Sequence, residues 1–109
     1  MDGDGDTDVL SASIDDDKIA WYQNDGTPSV GAWTEHAISA AADGAYEVFA
    51  ADVDGDGDTD ALSASYYDDK VAWYENDIAH RSVAFVTPPP ISTSANFARS
   101  VASADVDGD

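Results

Sequence analysis

Three runs of aspartate alternating with glycine constrain this chain more than any other feature. They are Asp2-Gly-Asp-Gly-Asp-Thr-Asp8, Asp52-Val-Asp-Gly-Asp-Gly-Asp-Thr-Asp60 and Asp105-Val-Asp-Gly-Asp109. Carboxylates at every second position repel one another, and that repulsion must be offset before the chain can pack. A solvated acidic face has no need of interleaved glycines. Glycine lets the backbone turn sharply, so that alternate carboxylates converge on one point. Convergent oxygens suit a hard cation, and about six to eight of them at flexible geometry match Ca²⁺ better than Mg²⁺.

The middle run can be read ligand by ligand. Asp52, Asp54 and Asp56 take positions one, three and five, and Gly57 at position six permits the turn. Asp58 stands at position seven, where a backbone carbonyl normally serves, and Asp60 at position nine supplies another carboxylate, directly or through water. This is the first part of an EF-hand-like loop. The acidic residue that would close an EF-hand is absent, because Ser63 occupies its place. The following Ala61–Tyr66 is short, small and alternating, which predicts a strand rather than a helix. A calcium loop between two strands is expected, against the plainer alternative of an acidic turn without metal. By the same reasoning Asp2, Asp4, Asp6 and Asp8 are candidate ligands in the first run, and Asp105, Asp107 and Asp109 in the third.

The charge narrows the function. Against 23 acids stand four lysines and arginines, for a net charge of −19. Phosphate neutralisation needs basic residues, so no nucleic-acid partner is expected, nor docking on anionic lipid. There is no cysteine, hence no disulfide framework and no thiolate chemistry. Apolar runs are only a few residues long, so no membrane span is expected. Met1 is followed at once by Asp2, which is not the start of a signal peptide.

The chain repeats itself. Residues 2–25 match residues 54–77 at 19 of 24 positions, sharing DGDGDTD, LSAS, DDK, AWY and ND. Residues 46–56 match 99–109 at 7 of 11 positions, one residue further on. A period of 52–53 residues falls in the range of solenoids and propellers. Each period predicts four strands. In the first these are Val9–Ile14, Lys18–Gln23, Trp33–Ser39 and Tyr46–Ala51, the last leading into the next loop. In the second they are Ala61–Tyr66, a tight turn at Asp68-Asp69, Lys70–Glu75 and Ser82–Thr87, with 98–104 repeating Tyr46–Ala51. Four short strands per period is the count of a propeller blade.

At this point the chain resembles the FG-GAP/VCBS-type repeat of integrin-like β-propellers. That repeat is marked by a D-x-D-G-D-G-x-x-D calcium loop between a blade's first and second strands. The motif is complete only at Asp52–Asp60, and the bacterial-type text ADVDGDGDTDALSASYYDDKVAWYEND at 51–77 carries most of the likeness. The resemblance covers nearly the whole chain apart from Arg81–Pro90, whose Pro88-Pro89-Pro90 cannot lie in a central strand. The Phe-Gly…Gly-Ala-Pro signature that names the family is absent. The resemblance implies an all-β fold of about two blades per chain, with structural Ca²⁺ and a role in binding or adhesion rather than catalysis.

Two blades cannot close a ring of about four to eight. Residues 1–52 read as a blade lacking its first strand followed by strand one of the next. Residues 53–109 read as the second repeat, ending in a spare first strand at about 98–104. The economical expectation is that this strand completes the first blade of another copy, since head-to-tail contacts close into rings. A homotrimer is preferred and a homotetramer comes next. A fragment or building block of a longer propeller explains the same phase.

Other residues divide by their place in the repeat. Trp21 and Trp73 recur at one phase, which predicts packing between blades. Trp33 and Tyr67 have no matched counterparts, so they are the candidate ligand-contact residues, and a carbohydrate-binding lectin is the alternative function. Ser11, Ser13, Ser63 and Ser65 lack a positioned base, so no hydrolase is expected. His36 and His80 are expected at the surface or an edge. Loops of this kind fill where calcium is millimolar, so an extracellular, periplasmic or cell-surface location is expected from the resemblance.

Overall fold

A computed structural model of the chain describes residues 1–26, 33–76, 85–86 and 88–102. Among the described residues seven strands follow one another: β1 (Val9–Ser13), β2 (Lys18–Gln23), β3 (Thr34–Ser39), β4 (Ala45–Ala51), β5 (Asp60–Ser65), β6 (Lys70–Asn76) and β7 (Phe85–Val86). They form two antiparallel sheets, β1-β2-β3 and β4-β5-β6, with the two-residue β7 on the edge of the second. Among the described residues there is no helix, so none that could cross a membrane. The predicted strands and hairpins are therefore present to within a residue or two, apart from two in the second repeat. The expected spare strand at about 98–104 is not formed over its described part, 98–102, and Ser82–Thr87 lies largely outside the described residues. Of that last stretch the described residues are Phe85–Val86, which pair with Asn76 and Glu75.

The two hairpins are built alike because their turns are alike. β1 and β2 pair from Ser13↔Lys18 to Val9↔Tyr22, and β5 and β6 from Ser65↔Lys70 to Ala61↔Tyr74. Asp17 and Asp69 sit in the left-handed region at φ 55° and 54°, a conformation that Asp tolerates better than most residues. The predicted turn at Asp68-Asp69 is thus in place. Both aspartates also reach forward along the chain. Asp17 O accepts Ala42 N at 3.0 Å and its Oδ1 accepts Gly44 N at 2.9 Å. Asp69 O accepts Ala95 N at 2.8 Å and its Oδ1 accepts Phe97 N at 2.8 Å. Each turn therefore clamps the segment that leaves its own sheet.

The clamped segment carries the chain from the first sheet to the second. β4 lies against β1, and the core between the sheets collects Ile19, Ala42, Ala45, Ala61, Ala72 and Tyr74. Small alanines let the sheets approach closely, and Leu10, Ala12, Ile38 and Val48 pack around them. Trp21 is buried as expected and stacks on His36 at 4.4 Å, while Trp73 is half-buried. His36 is half-buried at this stack and stands on β3, an outer strand of its sheet, in keeping with the expected edge position, while His80 lies outside the described residues.

The tightest point of the crossing is Gly44, at φ +69°. A Cβ there would lie 2.5 Å from Tyr67 Cδ2 and 3.1 Å from Tyr67 N. Gly44 O and Asp43 O accept Tyr66 N and Tyr67 N at 2.9 and 3.2 Å, which fixes the approach. Gly44→Ala is expected to cost about 2–4 kcal/mol, from the left-handed backbone plus overpacking. In a Tyr67→Ala background the cost should fall, because the ring is gone. A double-mutant cycle by urea denaturation checks this, and strictly additive losses would show that the ring and Gly44 are not coupled.

Candidate metal centre

The loop between β4 and β5 is held by its own carboxylates. Asp52 Oδ1 and Oδ2 accept Gly55 N at 2.7 Å and Gly57 N at 3.0 Å. Asp54 Oδ1 accepts Asp56 N at 3.1 Å, and Asp56 Oδ1 accepts Asp58 N at 2.8 Å. Gly55 and Gly57 have φ of +81° and +94°, values that a side chain would strain.

Asp60 anchors the loop to the sheet. It opens β5 and is fully buried. Its Oδ2 accepts Val53 N at 2.9 Å, and its Oδ1 accepts Asn76 N at 2.8 Å across the hairpin. Asn76 Nδ2 in turn donates to Thr59 O and Met1 O, both at 2.9 Å. One carboxylate thus ties together the start of the loop, the end of the loop and the end of β6.

Carboxylate oxygens of Asp52, Asp54 and Asp60 lie within 4.8 Å of one another, and so do those of Asp54, Asp56 and Glu75. Asp54 belongs to both sets. Its carboxyl is pushed above the usual carboxylate value, mainly by desolvation, with the charges of Asp56 and Asp60 adding to the effect. The donor set is all oxygen, and each carboxylate oxygen that accepts an N–H keeps a further lone pair. These residues fit a hard divalent cation, which would favour the ionised form of Asp54.

The structure places the expected ligands unequally. Asp52, Asp54 and Asp60 come together in one set, and Asp56 joins Asp54 in the other with Glu75, whereas Asp58 belongs to neither. Glu75 was not foreseen. It stands on β6, and its counterpart in the first repeat is Gln23.

In the first loop Asp4 N and Asp6 N donate to Asp2 Oδ1 and Asp4 Oδ1 at 3.1 and 2.8 Å, as in the second. Asp8 repeats Asp60: its Oδ1 accepts Asn24 N at 2.9 Å, and Asn24 Nδ2 donates to Thr7 O at 3.1 Å. The Met1 ammonium pairs with Asp8 Oδ2, where Val53 N serves Asp60. Gln23 Nε2 donates to Asp2 Oδ2 at 2.8 Å. Among the described residues, Asp2, Asp4, Asp6 and Asp8 form no three-carboxylate set. Asp105, Asp107 and Asp109 lie outside the described residues.

Of the two candidate ligand-contact residues, Trp33 is 36% exposed and precedes β3, and Tyr67 is 62% exposed. Tyr67 meets Tyr66 edge-on at 5.2 Å, and Tyr66 in turn meets Phe97 at 4.8 Å. Arg99 lies over Tyr66 and Tyr46 at 5.1 and 5.8 Å.

Two repeated antiparallel sheets, the second opened by an anchored acidic loop, define a β-repeat protein whose sheets are consistent with propeller blades. The chain belongs to the FG-GAP-like repeat family, whose model matches residues 1–63 and again 52–109. No match was found among curated proteins or solved structures.

Proposed function

We propose that this chain is a non-enzymatic, calcium-stabilised β-propeller module for binding or adhesion, assembled into a ring from several copies. The observation that carries the reading is the Asp52–Asp60 loop, anchored by the fully buried Asp60 in a chain of net charge −19. Asp52, Asp54, Asp56, Asp60 and Glu75 would hold the Ca²⁺, which supplies charge neutralisation and fixes β4 against β5. Millimolar calcium outside the cell would fill such a site, which supports an extracellular, periplasmic or cell-surface setting.

Mass by light scattering, with circular dichroism on the same samples, tests the reading in calcium and then in excess chelator. The expected result is a mass of three or four chains in calcium, falling together with the β-signal in chelator. A monomer that keeps its β-signal in chelator would refute both the assembly and the structural metal.

Glu75 gives a finer check. Glu75→Gln places in the second repeat the residue that the first already carries at this phase, so the fold should survive. Calcium should bind about tenfold more weakly, because one anionic ligand is lost. A titration followed by tryptophan fluorescence reads this, and an unchanged Kd would remove Glu75 from the ligand set. The lectin alternative draws on Trp33 and Tyr67. Tyr67 is engaged at the Gly44 crossing, which leaves Trp33 as the better sugar-stacking candidate.

A further inference from the structure

The first and second sheets differ where they ought to be the same. Every residue of β5 is buried, whereas its repeat counterpart β1 is half-exposed along its length. Ala61 is 0% exposed and its counterpart Val9 is 47% exposed. The physical reason is that β5 lies between β4 and β6, while among the described residues no strand pairs with the outer edge of β1. An open strand edge is a template for a further strand.

Residues 92–97 meanwhile repeat, bond for bond, the crossing that delivers β4. Val71 pairs with Ser92 as Ile19 pairs with Ser39. Asp69 receives Ala95 N and Phe97 N as Asp17 receives Ala42 N and Gly44 N. Residues 98–102 then stand where β4 stands in the preceding repeat. They form no strand, because a strand needs a ladder partner. Val101 N is held instead by Glu47 Oε2 at 2.7 Å.

One pair of residues is exchanged in size. Inside the chain a glycine, Gly44, faces a large ring, Tyr67. The counterpart of Gly44 is Phe97, at φ +52° and 62% exposed, and the counterpart of Tyr67 is Asp15. A bulky residue in the left-handed region is an outlier, and its exposed ring meets Tyr66 at 4.8 Å. Opposite a short Asp15 the side chain of Phe97 would find the space that Tyr67 takes from position 44.

We infer that residues 98–102 of one chain add as a strand to the edge of β1 in a second copy, with Phe97 seated over Asp15 of that copy. This rests on the assembly proposed above and specifies its junction. The register follows from β4 on β5: Ala45↔Ser65, Glu47↔Ala64, Val48↔Ser63 and Phe49↔Leu62 become Ala98↔Ser13, Ser100↔Ala12, Val101↔Ser11 and Ala102↔Leu10. The irregularity between Ala45 and Glu47 recurs at Arg99. Ile14 N and Asp15 N of the second copy donate to Phe97 O and Asn96 O, as Tyr66 N and Tyr67 N donate to Gly44 O and Asp43 O.

Two experiments on the full chain test the junction. The chain has no native cysteine, so Ser11→Cys with Val101→Cys should give a covalent ladder of multimers on a non-reducing gel. Directly opposed residues lie within disulfide reach. Ala12→Cys with Val101→Cys, one residue out of register and on the other face, should not. In the second experiment, Asp15→Tyr should shift the light-scattering mass in calcium towards the monomer. Adding Phe97→Gly to it rebuilds the Gly44–Tyr67 pair and should restore the assembly. A monomeric wild type overturns the assembly reading and the junction with it. A multimeric wild type that gives no in-register crosslink, or that is unmoved by Asp15→Tyr, overturns the junction and leaves the assembly standing.

Discussion

Asp60→Ala is expected to lower the melting temperature in calcium by roughly 15–25 °C, the largest single-residue effect in the molecule. The side chain is fully buried and accepts two backbone amides, Val53 N and Asn76 N. Alanine leaves both donors without an acceptor where water does not reach. Hydrogen bonds to a charged group are worth about 1.5–3 kcal/mol each, so a loss of about 3–5 kcal/mol follows. That is a large part of the stability of a small domain. Asp60→Asn should lie between the two, since it keeps one acceptor oxygen but turns an amide donor toward a second donor. Asp8→Ala should cost less than Asp60→Ala, because the first sheet is half-exposed beside it. Circular dichroism melts of the four proteins rank these effects. An Asp60→Ala protein that melts within a degree or two of wild type would show that the loop is not anchored through this residue.

What the sequence makes legible here is local. The hairpins follow from an Asp-Asp turn and alternating small strands, and the loop follows from glycine at fixed offsets. Asp60 reads as a ligand because it ends the motif. Its anchoring role is not legible, since Val53 and Asn76 reach it only through the fold. Glu75 stayed hidden for a related reason. It lies far along the chain from Asp54, and only the register of β6 on β5 turns it toward the loop. Its repeat counterpart is the neutral Gln23, which blurs the acidic signal. The outcome at 98–102 is instructive in the opposite sense. Repeat alignment predicts a strand there, and the single chain shows none, because strand character depends on a partner edge that these described residues do not supply. The exchange of Gly44 and Tyr67 for Phe97 and Asp15 is written in the sequence as two unremarkable mismatches. It acquires meaning only when Asp17 and Asp69 are seen to clamp the two crossings identically.

Removing calcium is expected to have an effect at least as large as any substitution, because it acts on the whole charge pattern. With 23 acids against four bases, the folded chain concentrates negative charge that the unfolded chain spreads out. Asp54 shows part of this cost, its carboxyl lying above its ordinary value chiefly through desolvation, with the charges of Asp56 and Asp60 adding to it. A group raised in this way contributes stability below its unfolded pKa and loses it as pH rises through the folded value. The metal-free loop is therefore a liability at neutral pH. A bound divalent cation reverses the sign, since it favours the ionised form and releases the proton. At calcium about a thousandfold above Kd, one site adds about 4 kcal/mol, which is a melting shift of roughly 15–25 °C for a chain of this size. Thermal melts in calcium, in magnesium, in chelator, and in chelator with sodium chloride matched for ionic strength separate the causes. Calcium should give the highest melting temperature and magnesium a smaller rise, because magnesium demands stricter geometry and keeps its waters. Sodium chloride should recover only part of the shift, through screening. Full recovery by sodium chloride would mean that the loops need counter-ions in general and no bound metal, and Asp52, Asp54, Asp56, Asp60 and Glu75 would then be an acidic turn rather than a site.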